Sequence, residues 1–141
     1  MYNIHMKSYE ILDHPADLKI RAFGKSLPEV FVNMAMAIAR KQSPSPAPAE
    51  EPGEEIVLES DDLSALLVDW LSEILYRSEI NKKVYFDFEI MEFSENPYKI
   101  KARIKGAPVE AKNTDIKAVT YHDLEIKKIG DNWETIVIFD I

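Results

Sequence analysis

The chain has 141 residues, which predicts one domain, and 46% of them are hydrophobic, enough to form a sizeable core. Its formal net charge is −8, so tight sequence-independent binding to nucleic acid is not expected. The absence of cysteine excludes disulfides, thiolate zinc sites and a cysteine nucleophile. No apolar run reaches the length of a membrane span, and residues 1–10 lack the pattern of a signal peptide. A cytoplasmic location is therefore expected.

Two short strands are predicted near the N-terminus. Apolar residues between Tyr9 and Leu12 indicate a first strand. Apolar and polar residues then alternate over residues 18–24, which predicts a strand with one buried face that ends at Gly24. The polar segment between these runs, residues 13–17, has two interpretations. It is either a turn held by a local hydrogen bond to an Asp side chain or a loop whose carboxylates bind a hard cation.

The first helix is predicted to begin beside Ser26 and to run to about Lys41. Glu29 follows Ser26 by three residues, which is the spacing of a capping box. The apolar stripe that follows is expected to pack in the core. Four prolines then block regular structure, and we assign residues 43–54 to an exposed loop within a single domain, residues 1–141. Recognition of this loop by a proline-binding partner is the alternative.

The second helix is predicted to be the main core helix. A short strand at Ile56 and Leu58 precedes it, and Ser60-Asp61 is the expected N-terminal cap. Leucine, isoleucine and tryptophan residues then recur at helical spacing to about Glu79. This wide apolar face predicts a helix that packs against a sheet.

A hairpin is predicted in the second half of the chain. Apolar and polar residues alternate over residues 83–90 and 98–105, and residues 94–97 provide the turn. The basic residues of the second run share one face of their strand, and two interpretations are open. They form a patch for a nucleic acid or a protein partner, or they pair across the hairpin with Asp87 and Glu89. The four basic residues are Lys99, Lys101, Arg103 and Lys105.

The last two strands complete the predicted fold. Residues 124–129 and 133–139 indicate strands joined by a turn at Gly130. The final strand is apolar on both faces, so it is expected to lie in the centre of a sheet. Two helices and at least six strands predict an α+β fold, a two-layer sandwich in which two main helices pack on a mainly antiparallel sheet.

Motifs of common enzyme classes are missing from the sequence. It contains no clustered Gly-rich phosphate loop, no nucleophile elbow and no HExxH motif, and its histidines, His5, His14 and His122, are scattered. Asp140 remains a candidate because it follows a strand predicted to be central. Its side chain has three interpretations. It is exposed because the chain end frays, it pairs with a basic residue, or it binds a cation together with nearby main-chain oxygens. The negative net charge suits a cationic partner or metal ion, although an ordinary soluble surface explains it as well.

Three stretches of the sequence resemble the archease family. They are His-Pro-Ala-Asp followed by Leu-Lys-Ile-Arg-Ala-Phe-Gly over residues 14–24, Ile-Lys-Ala-Val-Thr-Tyr-His over residues 116–122, and Phe-Asp-Ile over residues 139–141. The resemblance covers essentially the full length, and the last two stretches are the specific ones. The chain departs from the family pattern at Pro15, where a small polar residue such as threonine is expected, and in its proline-rich loop.

The resemblance implies a function that composition does not reveal. Archeases look like activators of the GTP-dependent RNA ligase that rejoins tRNA halves after intron removal. The ligase joins a 2′,3′-cyclic phosphate end to a 5′-hydroxyl, and the archease promotes guanylylation of the ligase so that it turns over repeatedly. The resemblance therefore implies an accessory protein that is not an enzyme and contacts RNA only indirectly.

Two other functions remain open beside ligase activation. One is a chaperone or specificity modulator of another RNA-processing enzyme, such as a tRNA methyltransferase. The other is an independent metal-dependent hydrolase, which the missing catalytic motifs disfavour. Dependence of activity on the carboxylates would separate the activator from a chaperone that acts through exposed apolar surface.

The resemblance also implies a metal site and a functional lysine. The cation is expected to be calcium, with magnesium or manganese as alternatives, because calcium accepts mixed carboxylate and carbonyl ligands. Lys117 matches a lysine needed for ligase activation, and His14 and His122 are candidates to surround the metal ligands. Together these residues are expected to form an acidic tip that enters or abuts the ligase active site. The implied metal ligands are Asp17, Asp140 and the main-chain oxygen of Ile141.

Overall fold

The computed structural model describes residues 8–12 and 16–141, and this part of the chain forms two helices and two antiparallel sheets. No helix in these ranges is long and apolar enough to cross a membrane. The elements are β1 (Tyr9–Leu12), β2 (Leu18–Gly24), α1 (Leu27–Gln42), β3 (Glu54–Ser60), α2 (Leu63–Asn81), β4 (Lys83–Ser94), β5 (Tyr98–Pro108), β6 (Ala118–Val119), β7 (Glu125–Ile129) and β8 (Asn132–Asp140).

The N-terminus of α1 is built as the sequence predicts. The hydroxyl of Ser26 accepts a hydrogen bond from the backbone N–H of Glu29 at 3.3 Å, and Pro28 lies in the first turn. This bond satisfies one of the helix N–H groups that lack an intrahelical partner. After α1, residues 43–53 contain no helix or strand, and β3 begins at Glu54.

The N-terminus of α2 differs from the prediction by one residue. The cap is Asp62, whose carboxylate accepts a hydrogen bond from the N–H of Ser64 at 3.0 Å. Ser60 instead accepts a hydrogen bond from the N–H of Asp62 at 3.2 Å, which holds the turn before the helix. The predicted cap at Ser60-Asp61 was therefore wrong, because two adjacent aspartates offer similar caps and only the backbone geometry selects between them.

The fold class is confirmed, but the strands divide into two sheets instead of one. The five-stranded sheet has the order β1-β2-β8-β6, and β7 also pairs with β8, so β8 is central as predicted. The three-stranded sheet has the order β3-β5-β4. Helix α1 packs against both β2 and β4 and thus joins the two sheets. A helix that covers two sheets must be apolar over most of its circumference, and α1 is buried on several sides.

The shared core is centred on the two helices. Phe31 of α1 and Trp70 of α2 are fully buried, and the indole N–H of Trp70 donates to the carbonyl oxygen of Phe31 at 3.0 Å. Phe93 and Phe88 of β4 pack edge-on against these two side chains. This arrangement satisfies the one polar group of Trp70 while its ring fills the interior.

The basic face of β5 is flanked by acidic residues on both neighbouring strands. In the β4–β5 register, Asp87 lies opposite Lys105 and Glu89 lies opposite Arg103. The ammonium of Lys105 is 2.7 Å from a carboxylate oxygen of Glu51, and this hydrogen bond raises the pKa of Lys105. Acidic residues therefore balance the basic row, as the second interpretation expects, but the ion pairs in the described part of the chain are made with Glu51, Glu55 and Glu92 instead of the expected Asp87 and Glu89.

Candidate functional site

The register of the five-stranded sheet aligns two distant aspartates. Leu18 of β2 lies opposite Phe139 of β8, so the next pair of positions holds Asp17, which directly precedes β2, and Asp140, the last residue of β8. On the other side of β8, Ala118 lies opposite Asp140. Directly opposed residues on antiparallel strands are close neighbours. The two carboxylates that the family resemblance implies as metal ligands are thus brought to the same end of one sheet.

Buried residues on both strands fix this alignment. Leu18 and Phe139 are 5% and 0% exposed and belong to the hydrophobic core, and a shift of one residue would move their side chains out of it. Asp140 and Ile141 follow directly and are exposed, which keeps the charge of the carboxylate in contact with water. The backbone of Asp140 is held in the ladder, so exposure of its side chain is not a consequence of fraying.

A backbone hydrogen bond holds Lys117 at the same end of the five-stranded sheet. Its N–H donates to the carbonyl oxygen of Asp140 at 2.8 Å, and Ile116 beside it is buried. Thr120 strengthens the connection, because both its N–H and its hydroxyl donate to the carbonyl oxygen of Ile138. The Lys117 side chain is exposed and makes no ion pair with any residue that the structure describes. We call Asp17, Lys117, Asp140 and Ile141 together the carboxylate end.

No histidine in the described part of the chain is placed at the carboxylate end. His122 is exposed, and its Nε2 atom lies 3.2 Å from a carboxylate oxygen of Asp123. Because β6 is antiparallel to β8, the chain moves away from Asp140 after Ala118, and His122 lies four residues further along. The prediction that His122 surrounds the metal ligands is therefore not supported. His14 lies outside the described residues, as do Asp13 and Pro15 of the same segment.

The donors at the carboxylate end fit a hard cation. Two carboxylates and main-chain oxygens are the ligand types that calcium and magnesium prefer, whereas zinc sites usually contain His or Cys. Within residues 8–12 and 16–141, no group of three or more His, Asp or Glu side chains is positioned to hold a metal. Calcium takes about six to eight oxygen ligands. Asp17, Asp140 and the Ile141 main-chain oxygen would therefore leave positions for water or for ligands from a partner.

A groove that the sequence did not predict extends from this end along α2. Its volume is about 440 Å³. It is continuous with the carboxylate end because Lys117 and Ala118 form part of its wall. The sequence signals for it are Tyr76 and Ile80, two apolar residues on the exposed side of α2. We call it the α2 groove and define it by Leu75, Tyr76 and Glu79 of α2 and by Asp115, Ile116 and Lys117.

Comparisons with known proteins agree on one family. The model of the Archease protein family (MTH1598/TM1083) matches residues 9–141. The archease of Methanosarcina barkeri is 42% identical over 141 residues, which cover 96% of this chain and 97% of that protein. The archease of Pyrococcus abyssi is 34% identical over 96% of this chain and 100% of its own.

Two solved structures share the fold. The solution structure of Methanobacterium thermoautotrophicum protein 1598 matches with a TM-score of 0.80 at 26% identity, and the match covers 96% of this chain and 100% of that one. A Thermotoga maritima crystal structure, described as an archease and possible chaperone, matches with a TM-score of 0.64 at 22% identity. That second match covers 99% of this chain and 100% of the other.

Proposed function

This chain belongs to the Archease protein family, and from that premise we propose that it is an accessory protein that activates the tRNA-splicing RNA ligase. In this role it promotes guanylylation of the ligase and repeated joining of 2′,3′-cyclic phosphate ends to 5′-hydroxyl ends. The observation that carries the proposal is the strand register that aligns Asp17 with Asp140 and fixes Lys117 to the Asp140 backbone.

The carboxylate end has the chemistry that this role requires. Asp17, Asp140 and the main-chain oxygen of Ile141 are the proposed ligands of a divalent cation, with calcium expected first. When bound, the cation supplies positive charge that stabilises phosphate oxygens. Lys117 adds an ammonium group beside it, and its exposed side chain is free to reach a nucleotide or an acidic group of the ligase. The chain thus presents a charged tip to the active site of its partner.

A second candidate function rests on exposed apolar surface. Tyr76 and Ile80 of α2 are each 61% exposed, and surfaces of this kind bind other proteins. A chaperone or specificity modulator of another RNA-processing enzyme, such as a tRNA methyltransferase, would use such a surface and would not need the carboxylates. The description of the Thermotoga maritima relative as a possible chaperone is compatible with this candidate.

The test of ligase activation is a multiple-turnover ligation assay. The cognate ligase is kept far below the concentration of split tRNA, with GTP and divalent metal, and ligated product is counted per ligase. The intact protein should convert about one round of ligation into many. Asp17→Asn and Asp140→Asn keep the side-chain size but remove the charge, and each should lower the multiple-turnover rate at least tenfold.

The matched control is Asp123→Asn, because Asp123 is exposed and lies on the β6–β7 connection away from Asp140. It should activate like the intact protein. Full activation by folded Asp17→Asn and Asp140→Asn proteins would contradict the metal-dependent mechanism. If the intact protein has no effect on ligation but alters another RNA-processing enzyme, the second candidate function becomes the better one.

A further inference from the structure

The α2 groove combines a buried apolar base with an exposed apolar rim. Leu75 and Ile116 at its base are 8% and 5% exposed. Tyr76 on the rim is 61% exposed, and Ile80, one helical turn further along α2, is exposed to the same extent. Residues four positions apart on a helix lie on the same face. An exposed aromatic and an exposed branched side chain beside a groove provide anchoring contacts of the type that dominates protein interfaces.

The opposite wall of the groove carries charges without partners. Asp115 and Lys117 are exposed, and neither makes an ion pair with a residue in the described ranges. The other two charged residues of the groove, Glu79 and Lys112, are 3.8 Å apart and compensate each other. The groove therefore offers one carboxylate and one ammonium to an external ligand. A protein segment that carries a basic and an acidic side chain complements both.

The surroundings favour a protein ligand over RNA. The chain has a net charge of −8, and two of the four charged residues that line the groove are acidic. Binding to a phosphate backbone requires a row of basic groups, which this wall lacks. The apolar base likewise suits an aliphatic or aromatic side chain better than a nucleotide backbone.

We infer that the α2 groove is the docking surface for a segment of the partner protein. An apolar side chain of this segment rests on Tyr76 and Ile80, and a basic side chain faces Asp115. This inference rests on the proposed function, since the partner is the ligase activated by the carboxylate end. The groove reaches that end through Lys117, whose N–H bonds to Asp140, so a docked segment brings its protein to the carboxylates. Affinity then comes from the groove, and activation comes from the carboxylates.

Binding and activation measured side by side test this division. The affinity of purified ligase for the full chain is measured by calorimetry, and ligation turnover is measured over a range of protein concentrations. The double variant Tyr76→Ala/Ile80→Ala should bind at least tenfold more weakly, and saturating amounts should restore full activation. Asp140→Asn should bind within about twofold of the intact protein and should fail to activate at any concentration.

Two further variants test whether a loss of affinity comes from the α2 groove itself. Val57→Ala truncates an apolar side chain that is 53% exposed on β3, outside the groove, and should leave affinity unchanged. Asp115→Lys reverses a surface charge without removing apolar surface and should weaken binding severalfold. It therefore tests the groove even if the double variant does not fold.

The outcomes separate the two proposals. If the double variant and Asp115→Lys both bind like the intact protein, the groove inference is overturned while ligase activation stands. If the double variant fails to activate at saturation, the division between docking and activation is wrong. If the intact protein neither binds nor activates the ligase, both the proposed function and the docking inference fail.

Discussion

The carboxylate end of the five-stranded sheet and the outer face of the three-stranded sheet are both rich in charge, but their charges have different partners. On the outer face, Arg103 of β5 lies between acidic residues of β3 and β4, and its guanidinium is 3.9 Å from the carboxylate of Glu55. At the carboxylate end, the side chains of Lys117 and Asp140 make no ion pair with any residue that the structure describes. The first arrangement is internally balanced, whereas Lys117 and Asp140 are open to an external ligand.

This difference shows that charge density alone does not mark a functional site. Exposed ion pairs such as Arg103–Glu55 contribute about 0.2–1 kcal/mol each and mainly keep the surface soluble. Exposed charges that a rigid backbone holds together without neutralising them are better candidates for binding. The row of basic residues on β5 was the more conspicuous feature of the sequence, but the aligned Asp17 and Asp140 are the more informative feature of the structure.

The largest expected effect comes from removing the core residue that holds the carboxylate end in place. Phe139 is fully buried, and Phe139→Ala should lower the free energy of unfolding by about 3–5 kcal/mol, because it leaves a cavity in the core. Urea denaturation measures this change. Ile129→Ala is the control, because Ile129 is 52% exposed, and it should change stability by less than about 0.5 kcal/mol. Equal effects of the two substitutions would show that Phe139 does not anchor this end of the sheet.

A second expected effect concerns a polar cluster between α2 and the three-stranded sheet. The Tyr85 hydroxyl donates to the carboxylate of Glu54, which is also 3.3 Å from the guanidinium of Arg77. The amide of Asn81 donates to the Tyr85 oxygen at 2.8 Å. Burial, together with the hydrogen bond to Glu54, raises the pKa of Tyr85 from 10.0 to about 12. Like the charges on the outer face of the three-stranded sheet, these polar groups have their partners within the chain.

The raised pKa of Tyr85 predicts a loss of stability in strong alkali. The folded state holds the Tyr85 proton more tightly than the unfolded chain does, so the contribution to stability is complete below pH 10 and decreases as the pH rises toward 12. Tyr85→Phe removes this titration, and its free energy of unfolding should fall less steeply over the same interval. Denaturation at a series of pH values makes the comparison. Identical slopes for the two proteins would contradict the assignment to Tyr85.

Local patterns in the sequence predicted most of the fold. The helix at Ser26 and the β4–β5 hairpin were predictable because capping spacing and period-two alternation involve neighbouring residues only. The strand β6 was missed because Ala118 and Val119 have no strand pattern and are extended only where β8 provides a partner. The division into two sheets was also missed, since it depends on how α1 packs between β2 and β4.

The candidate site was predictable only in part. Motif resemblance brought Asp17, Lys117 and Asp140 together as a set, but no local pattern could show that β2 and β8 are neighbours in register. The resemblance also implied that His122 lies near the metal ligands, whereas the antiparallel direction of β6 carries the chain away from Asp140 before it reaches His122. The α2 groove was not predictable, because its two walls come from α2 and from a segment without regular structure.

The central claim is that the carboxylate end binds a cation. Its most direct test is a calcium titration followed by thermal unfolding in the absence of ligase. Calcium at about 100 times its dissociation constant stabilises a folded protein by about 2.7 kcal/mol, so the intact protein should gain several degrees in Tm. Glu92→Gln, which removes an exposed carboxylate of the three-stranded sheet, should keep this gain, whereas Asp140→Asn should lose it. If calcium leaves the Tm of the intact protein unchanged, or raises that of Asp140→Asn equally, the claim is wrong.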